Sequence, residues 1–197
     1  MQQLHAFLGR LSQYAVWVGG AALLGAAILV TLEIVLRGVF NVSMGGADEI
    51  SGYIFAASTT WAYSFCLLHR ANVRIDAFYN FLPRPMRAAL DVIGTVLLLA
   101  YMGILTESAS GVFLESWANN SVSITTLQTP LWIPQLLWLA GLVLFIITLI
   151  VVALYSLMTF LRGDFDGVQR LAGVRSVEEE VSDETHGMGT KARAGGA

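Results

Sequence analysis

Charge is what this chain has least of. Only 13% of its 197 residues are Asp, Glu, Lys or Arg, about half the share found in an ordinary soluble domain, so a water-solvated surface is hard to build from it. Cysteine is almost missing as well: Cys66 stands alone, which excludes an internal disulfide and leaves it to pack as a small apolar residue. The three histidines, His5, His69 and His186, are scattered along the sequence, and neither a bis-histidine haem nor a zinc ligand set can be drawn from them. No glycine-rich phosphate loop occurs, and apolar helices offer no Ser/His/Asp constellation. No repeat recurs at a solenoid period. These absences predict a protein that is not an enzyme, with no catalytic, cofactor or metal site and no nucleic-acid partner.

What the chain has in quantity is apolar length. At 56% hydrophobic residues and a mean hydropathy of +0.67, it reads as an all-α integral membrane protein. Runs long enough for a hydrocarbon core, about 20 residues each, occur at Tyr14 to Leu36, Ile50 to Leu68, Val92 to Phe113 and Leu131 to Leu161. They predict four long transmembrane helices, over about 14–40, 50–68, 86–116 and 130–161, in a membrane domain covering 1–162. The first run is too long for a secretory signal, whose apolar stretch is about 7 to 15 residues. From 163 to 197 the composition shifts: seven acids face four basic residues, and few large apolar side chains remain. That segment predicts an acidic, largely disordered C-terminal tail.

Arginine sets the orientation. Arg70, Arg74, Arg84 and Arg87 crowd the connector between runs two and three, Arg10 precedes the first run and Arg162 follows the last. The opposite loops, 38–49 and 115–130, hold acids and no basic residue beyond Arg37 at their edge. The positive-inside bias therefore predicts that both termini are cytoplasmic. Within the arginine-rich connector, Ile75, Phe78, Tyr79 and Leu82 fall at i, i+3, i+4 and i+7, the pattern of a short amphipathic helix over about 76–82 lying in the membrane interface. Asp76 sits at its start, where a carboxylate meets the free backbone N–H groups, and Arg70 and Arg74 would meet anionic headgroups.

Single acids interrupt or border the apolar runs. Glu33 and Arg37 stand four apart in the favourable order, which predicts an interfacial ion pair. Glu107 lies beside Ser108, Ser110 and Gly111, small residues that permit close helix contact, so a partner subunit is one way to satisfy it. Asp48 and Glu49 open the second helix, favoured there by its dipole and placed to contact a soluble partner. Thr129 and Pro130 have the form of an N-cap and first-turn proline for the last helix. A rival reading takes Glu33 as the proton site of a stand-alone, homodimeric, proton-coupled exporter, although an acid in that role belongs near mid-membrane.

Several stretches, in order, resemble the small, Q-type membrane subunit of tripartite ATP-independent periplasmic (TRAP) transporters: Arg37 with "VFNVS", "DEI" at Asp48 to Ile50, "HRANVRIDAF" from His69, and "LQTPLWIPQLLWLAG" from Leu127. The resemblance implies a subunit of the bacterial inner membrane without a substrate site of its own. It also implies three kinds of partner: a large M-type membrane subunit that carries an organic acid with sodium by an elevator movement, a periplasmic substrate-binding protein, and membrane lipids. The small subunit would be the fixed scaffold against which the large one moves. Candidate partner-contact residues are Arg37, Asp48, Glu49, Arg70, Arg74, Asp76, Glu107 and Trp132.

Overall fold

The computed structural model of the chain describes residues 2–71 and 82–172. Its architecture is five helices: α1 (Gln2–Val39), α2 (Ala47–Leu68), α3 (Arg84–Ala118), α4 (Trp132–Leu161) and α5 (Phe165–Ala172). No strand occurs among the described residues, and an isolated bridge between Val122 and Pro130 ties the α3–α4 loop to itself. The amphipathic helix expected over about 76–82, with Arg74 and Asp76, lies outside the described residues except for Leu82, which is not helical.

Among the described residues three helices are long and apolar enough to cross a membrane: Leu8–Val39 within α1, and the whole of α3 and α4. α2 is not among them. Its 22 residues suffice in length, but Ser51, Ser58, Thr59, Thr60 and Ser64 dilute its hydropathy. Several of those hydroxyls are turned back onto the helix, as where Thr59 donates to the Phe55 carbonyl at 2.8 Å and Thr60 to that of Ala57 at 3.0 Å. α1 starts at Gln2, a dozen residues ahead of its apolar run, because hydropathy marks where a helix is oily and not where it begins. Leu8, in that early part, is already buried. α3 opens on Pro83 and Pro85, where a missing N–H is harmless since first-turn donors have no helical acceptor.

The helices stand side by side in the order α1, α2, α4, α3: α1 packs on α2, α2 on α4, and α4 on α3. α2 and α3, consecutive in sequence, are thus separated by α4. Glycine permits the closest approaches. A Cβ on Gly141 of α4 would lie 2.8 Å from Thr60 Cβ and 2.9 Å from the Trp61 ring, and one on Gly19 of α1 would lie 3.2 Å from Ser58 Cβ. At the second contact Ser58 donates to the Gly19 carbonyl at 3.2 Å. The main core is built around α4, where Leu142, Phe145, Leu149 and Val152 pack with Leu67 of α2 and Met102 and Ala109 of α3.

α5 occupies the beginning of the segment read as tail. After Gly163 turns the chain with φ 74°, Val168 is buried against Ala88 and Val92 of α3, and Phe165 stacks edge-on to Phe160 with ring centroids 5.8 Å apart. Eight residues give too short a periodic run to stand out beside 30-residue helices. Residues from 173 onward lie outside the described part.

Candidate functional site

The end of the molecule carrying the α1–α2 and α3–α4 loops is stitched together by side chains. Glu33 does not pair with Arg37. Its carboxylate accepts from Ser43 Oγ at 2.5 Å and from the Met44 backbone N–H at 2.8 Å, so it fastens the loop that follows α1 back onto the helix. Glu33 is buried, and a buried carboxylate requires such donors. Arg37, one turn on, is exposed and makes no ion pair with it.

Glu49 performs the matching operation on the other loop. Its carboxylate accepts from the Thr125 hydroxyl and, at 2.7 Å, from Tyr53 OH. The Thr125 hydroxyl, the strongest of these influences, holds the Glu49 carboxyl below the ordinary value of 4.5. Thr126 then donates to the Gly45 carbonyl at 2.9 Å. Asp48, next in sequence, points into solvent. Of the adjacent acids at this helix start, one is engaged inside the protein and the other is left at the surface.

Thr129 and Pro130 do not cap α4. The Ser123 N–H donates to the Thr129 carbonyl at 2.9 Å and the Leu131 N–H to Ser121 at 3.0 Å, and α4 begins only at Trp132 without a side-chain cap. The loop's own pairing therefore overrides the capping pattern. Trp132 meets Trp117 edge-on at a centroid distance of 5.0 Å, joining the end of α3 to the start of α4.

At the opposite end Arg70 takes a left-handed conformation, φ 51°, and donates from Nη1 to the Gln169 carbonyl of α5 at 3.2 Å. The α2–α3 connector and the C-terminal helix are thereby joined. Glu107 lies apart from both ends. It is exposed on α3, between Ile104 and Gly111, and a Cβ on Gly111 would meet nothing within 4 Å. The structure thus gathers Arg37, Asp48, Glu49 and Trp132 at one end, puts Arg70 at the other, and leaves Glu107 on the flank of a spanning helix.

Asp91 escaped the sequence reading. It is 2% exposed on α3, between Ala88 and Val92, which pack on α5, and Thr95 donates to its carbonyl at 2.8 Å. The available signal was an acid one residue ahead of an apolar run, easily taken for the run's boundary. Among the described residues no group of three or more His, Cys, Asp or Glu side chains is placed to hold a metal ion.

The family model described as "Tripartite ATP-independent periplasmic transporters, DctQ component" matches residues 26–160, from the middle of α1 to the last turn of α4. No curated protein and no solved structure shows a match.

Proposed function

From the premise that this chain belongs to the DctQ component family of the TRAP transporters, and so is the small component of such a transporter in the inner membrane, we propose that it is the static scaffold of a sodium-coupled uptake system. A large membrane subunit beside it carries the solute by an elevator movement, receiving it from a periplasmic binding protein; organic acids are the expected cargo. α2 crosses the bilayer together with α1, α3 and α4, since it packs between two helices that are long and apolar enough to span. Both termini then face the cytoplasm, in keeping with the arginine bias.

The observation that carries the pairing with a large subunit is Glu107. Eleven residues separate it from the end of α3 at Ala118, about 16 Å at ~1.5 Å per residue, so it sits within the apolar span and not in the loop. An exposed carboxylate at that depth is costly against lipid and is normally turned to protein. Ile104 and Gly111 on the same flank provide an apolar and a close-packing contact. Asp48, exposed at the loop end, is the acid left for the binding protein, because Glu49 is held by Thr125 and Tyr53. The exporter reading loses its motive, since both oxygens of Glu33 are engaged by a loop.

The test is co-purification of the large membrane subunit with the Glu107→Leu variant. Loss of an interface charge pair costs about 2 to 5 kcal/mol, so recovery should fall at least ten-fold while the melting temperature of the chain alone holds or rises. Undiminished recovery would place this flank against lipid and sink the pairing.

A further inference from the structure

α1 makes its main contact with α2 alone, and α2 is flanked on its other side by α4. Between these three helices runs an open groove of about 570 Å³, floored by Ala57 and Trp61 of α2 and walled by Leu11 to Ala22 of α1 and by Ile133 and Leu137 of α4. Its polar side chains face inward: Ser58 donates to the Gly19 carbonyl, Trp61 Nε1 to the Leu137 carbonyl at 2.9 Å, and Tyr53 to Glu49. What remains to line the space is hydrocarbon.

The shape limits the occupant. From Leu11 to Ala22 the wall is eleven residues long, about 16 Å along the helix axis. A polymethylene chain, whose width follows from carbon contacts at ~3.5–4.0 Å, fits.

Beside the groove is a second recess of about 320 Å³ formed by Arg10, Gln13, Tyr14 and Trp17, and Tyr14 lines both. These four fall at i, i+3, i+4 and i+7, one face of α1. Arg10 is exposed. From Tyr14 to Glu33, whose carboxylate closes the far loop, is nineteen residues, about 29 Å along the axis, close to the ~30 Å hydrocarbon thickness. A cation one turn beyond Tyr14 is therefore at headgroup level.

We propose that this composite feature is a phospholipid site, with an acyl chain lying in the groove between α1, α2 and α4 and the lipid phosphate held by Arg10 and Gln13. Arg10 supplies the charge, Gln13 supplies N–H donors, and Tyr14 and Trp17 mark the boundary between chain and headgroup. Arg10 to Trp17, the headgroup end of the site, precede residue 26, where the family match begins, whereas the groove floor on α2 and its α4 wall lie within the matched residues. The inference does not depend on the pairing with a large subunit.

The full chain is reconstituted in vesicles doped with phosphatidylglycerol carrying a diazirine on its acyl chain, or with the equally labelled diacylglycerol, and the light-induced adducts are mapped by peptide mass spectrometry. Adducts on Val18 and Ala22 are expected, scored against Leu24, which is 69% exposed on the same helix. The phosphatidylglycerol label should exceed the diacylglycerol label in the groove about five-fold, the factor equivalent to ~1 kcal/mol for one arginine at an anionic surface. Arg10→Gln should remove that excess, and Ala57→Leu, which fills the groove floor, should remove groove adducts from both labels while Leu24 stays labelled. Equal labelling by the two lipids, or a groove-to-Leu24 ratio untouched by either substitution, would overturn the site. If co-expression with the large subunit abolishes the groove adducts, a partner helix is the occupant and the proposal fails.

Discussion

α1 and α4 are both apolar helices of 30 residues or more, yet they use their surfaces in opposite ways. Of the most apolar stretch of α4, 44% is buried within the molecule, against 11% for α1. The difference follows from position in the row: α4 has α2 on one side, α3 on the other and α5 at its end, whereas α1 has α2. In lipid there is no hydrophobic drive between helices, so association rests on close packing, interhelical hydrogen bonds and fit. α4 meets that demand with a glycine at the crossing and large side chains around it. α1 meets it along α2 alone, with Gly19 and Ser58 at the close approach, and leaves its other faces for the bilayer and whatever binds from it.

The largest expected effect lies in the packed helix. Leu149, 0% exposed at the centre of the core, should lose about 2–5 kcal/mol on Leu149→Ala, chiefly by leaving a cavity. Leu24→Ala on α1 should stay within about 0.5 kcal/mol. Thermal melting of the two purified variants checks the contrast, and similar losses would abolish the distinction between centre and edge. Gly141→Val should follow at about 1–3 kcal/mol by overpacking the crossing with Thr60 and Trp61, while Gly25→Val, where a Cβ meets nothing within 4 Å, should leave the melting temperature of the chain near that of wild type.

Smaller effects belong to the loops. Glu33→Gln retains one acceptor for two donors, so local protection of the Met44 amide should fall several-fold in hydrogen exchange, with helix stability unchanged. Slower or equal exchange would remove the fastening role. Smallest is the pH response at Glu49. Its carboxyl is held below 4.5, first by Thr125, so its contribution is complete above the unfolded value and is lost as pH falls through the lower folded one. Hydrogen exchange in residues 121–130 should therefore rise as the solution is acidified below about 4.5, relative to a Glu49→Gln variant. A matching rise in both would assign the change elsewhere.

Much of this was legible beforehand, because an apolar run identifies a buried or lipid-facing helix whatever its neighbours are. The long helices could be read for that reason. What escaped was decided by contacts distant in sequence or by elements too short to have a period. Glu33 and Arg37 have the spacing of a pair, but Ser43 and Met44, ten residues away, offer neutral donors that reach both oxygens without requiring an exposed arginine to be immobilised. Thr129 has the chemistry of a cap, but the backbone of Ser123 claims its carbonyl. Asp91 was hidden because its neighbours Ala88 and Val92 pack on α5, and α5 was hidden by its eight residues. The engagement of Glu49 and the freedom of Asp48 could not be told apart without the loop between α3 and α4.

The order α1, α2, α4, α3 also constrains how the chain is made. α1 and α2 leave the ribosome first and already possess each other and the Glu33 clasp, so they can associate as a hairpin before the rest is synthesised. α3 comes next, but the helix it packs against has not yet been translated, and α2 is not its neighbour. It must wait in the membrane or at the insertion machinery until α4 arrives to fill the gap between them. The packing order is that of two hairpins joined through α4.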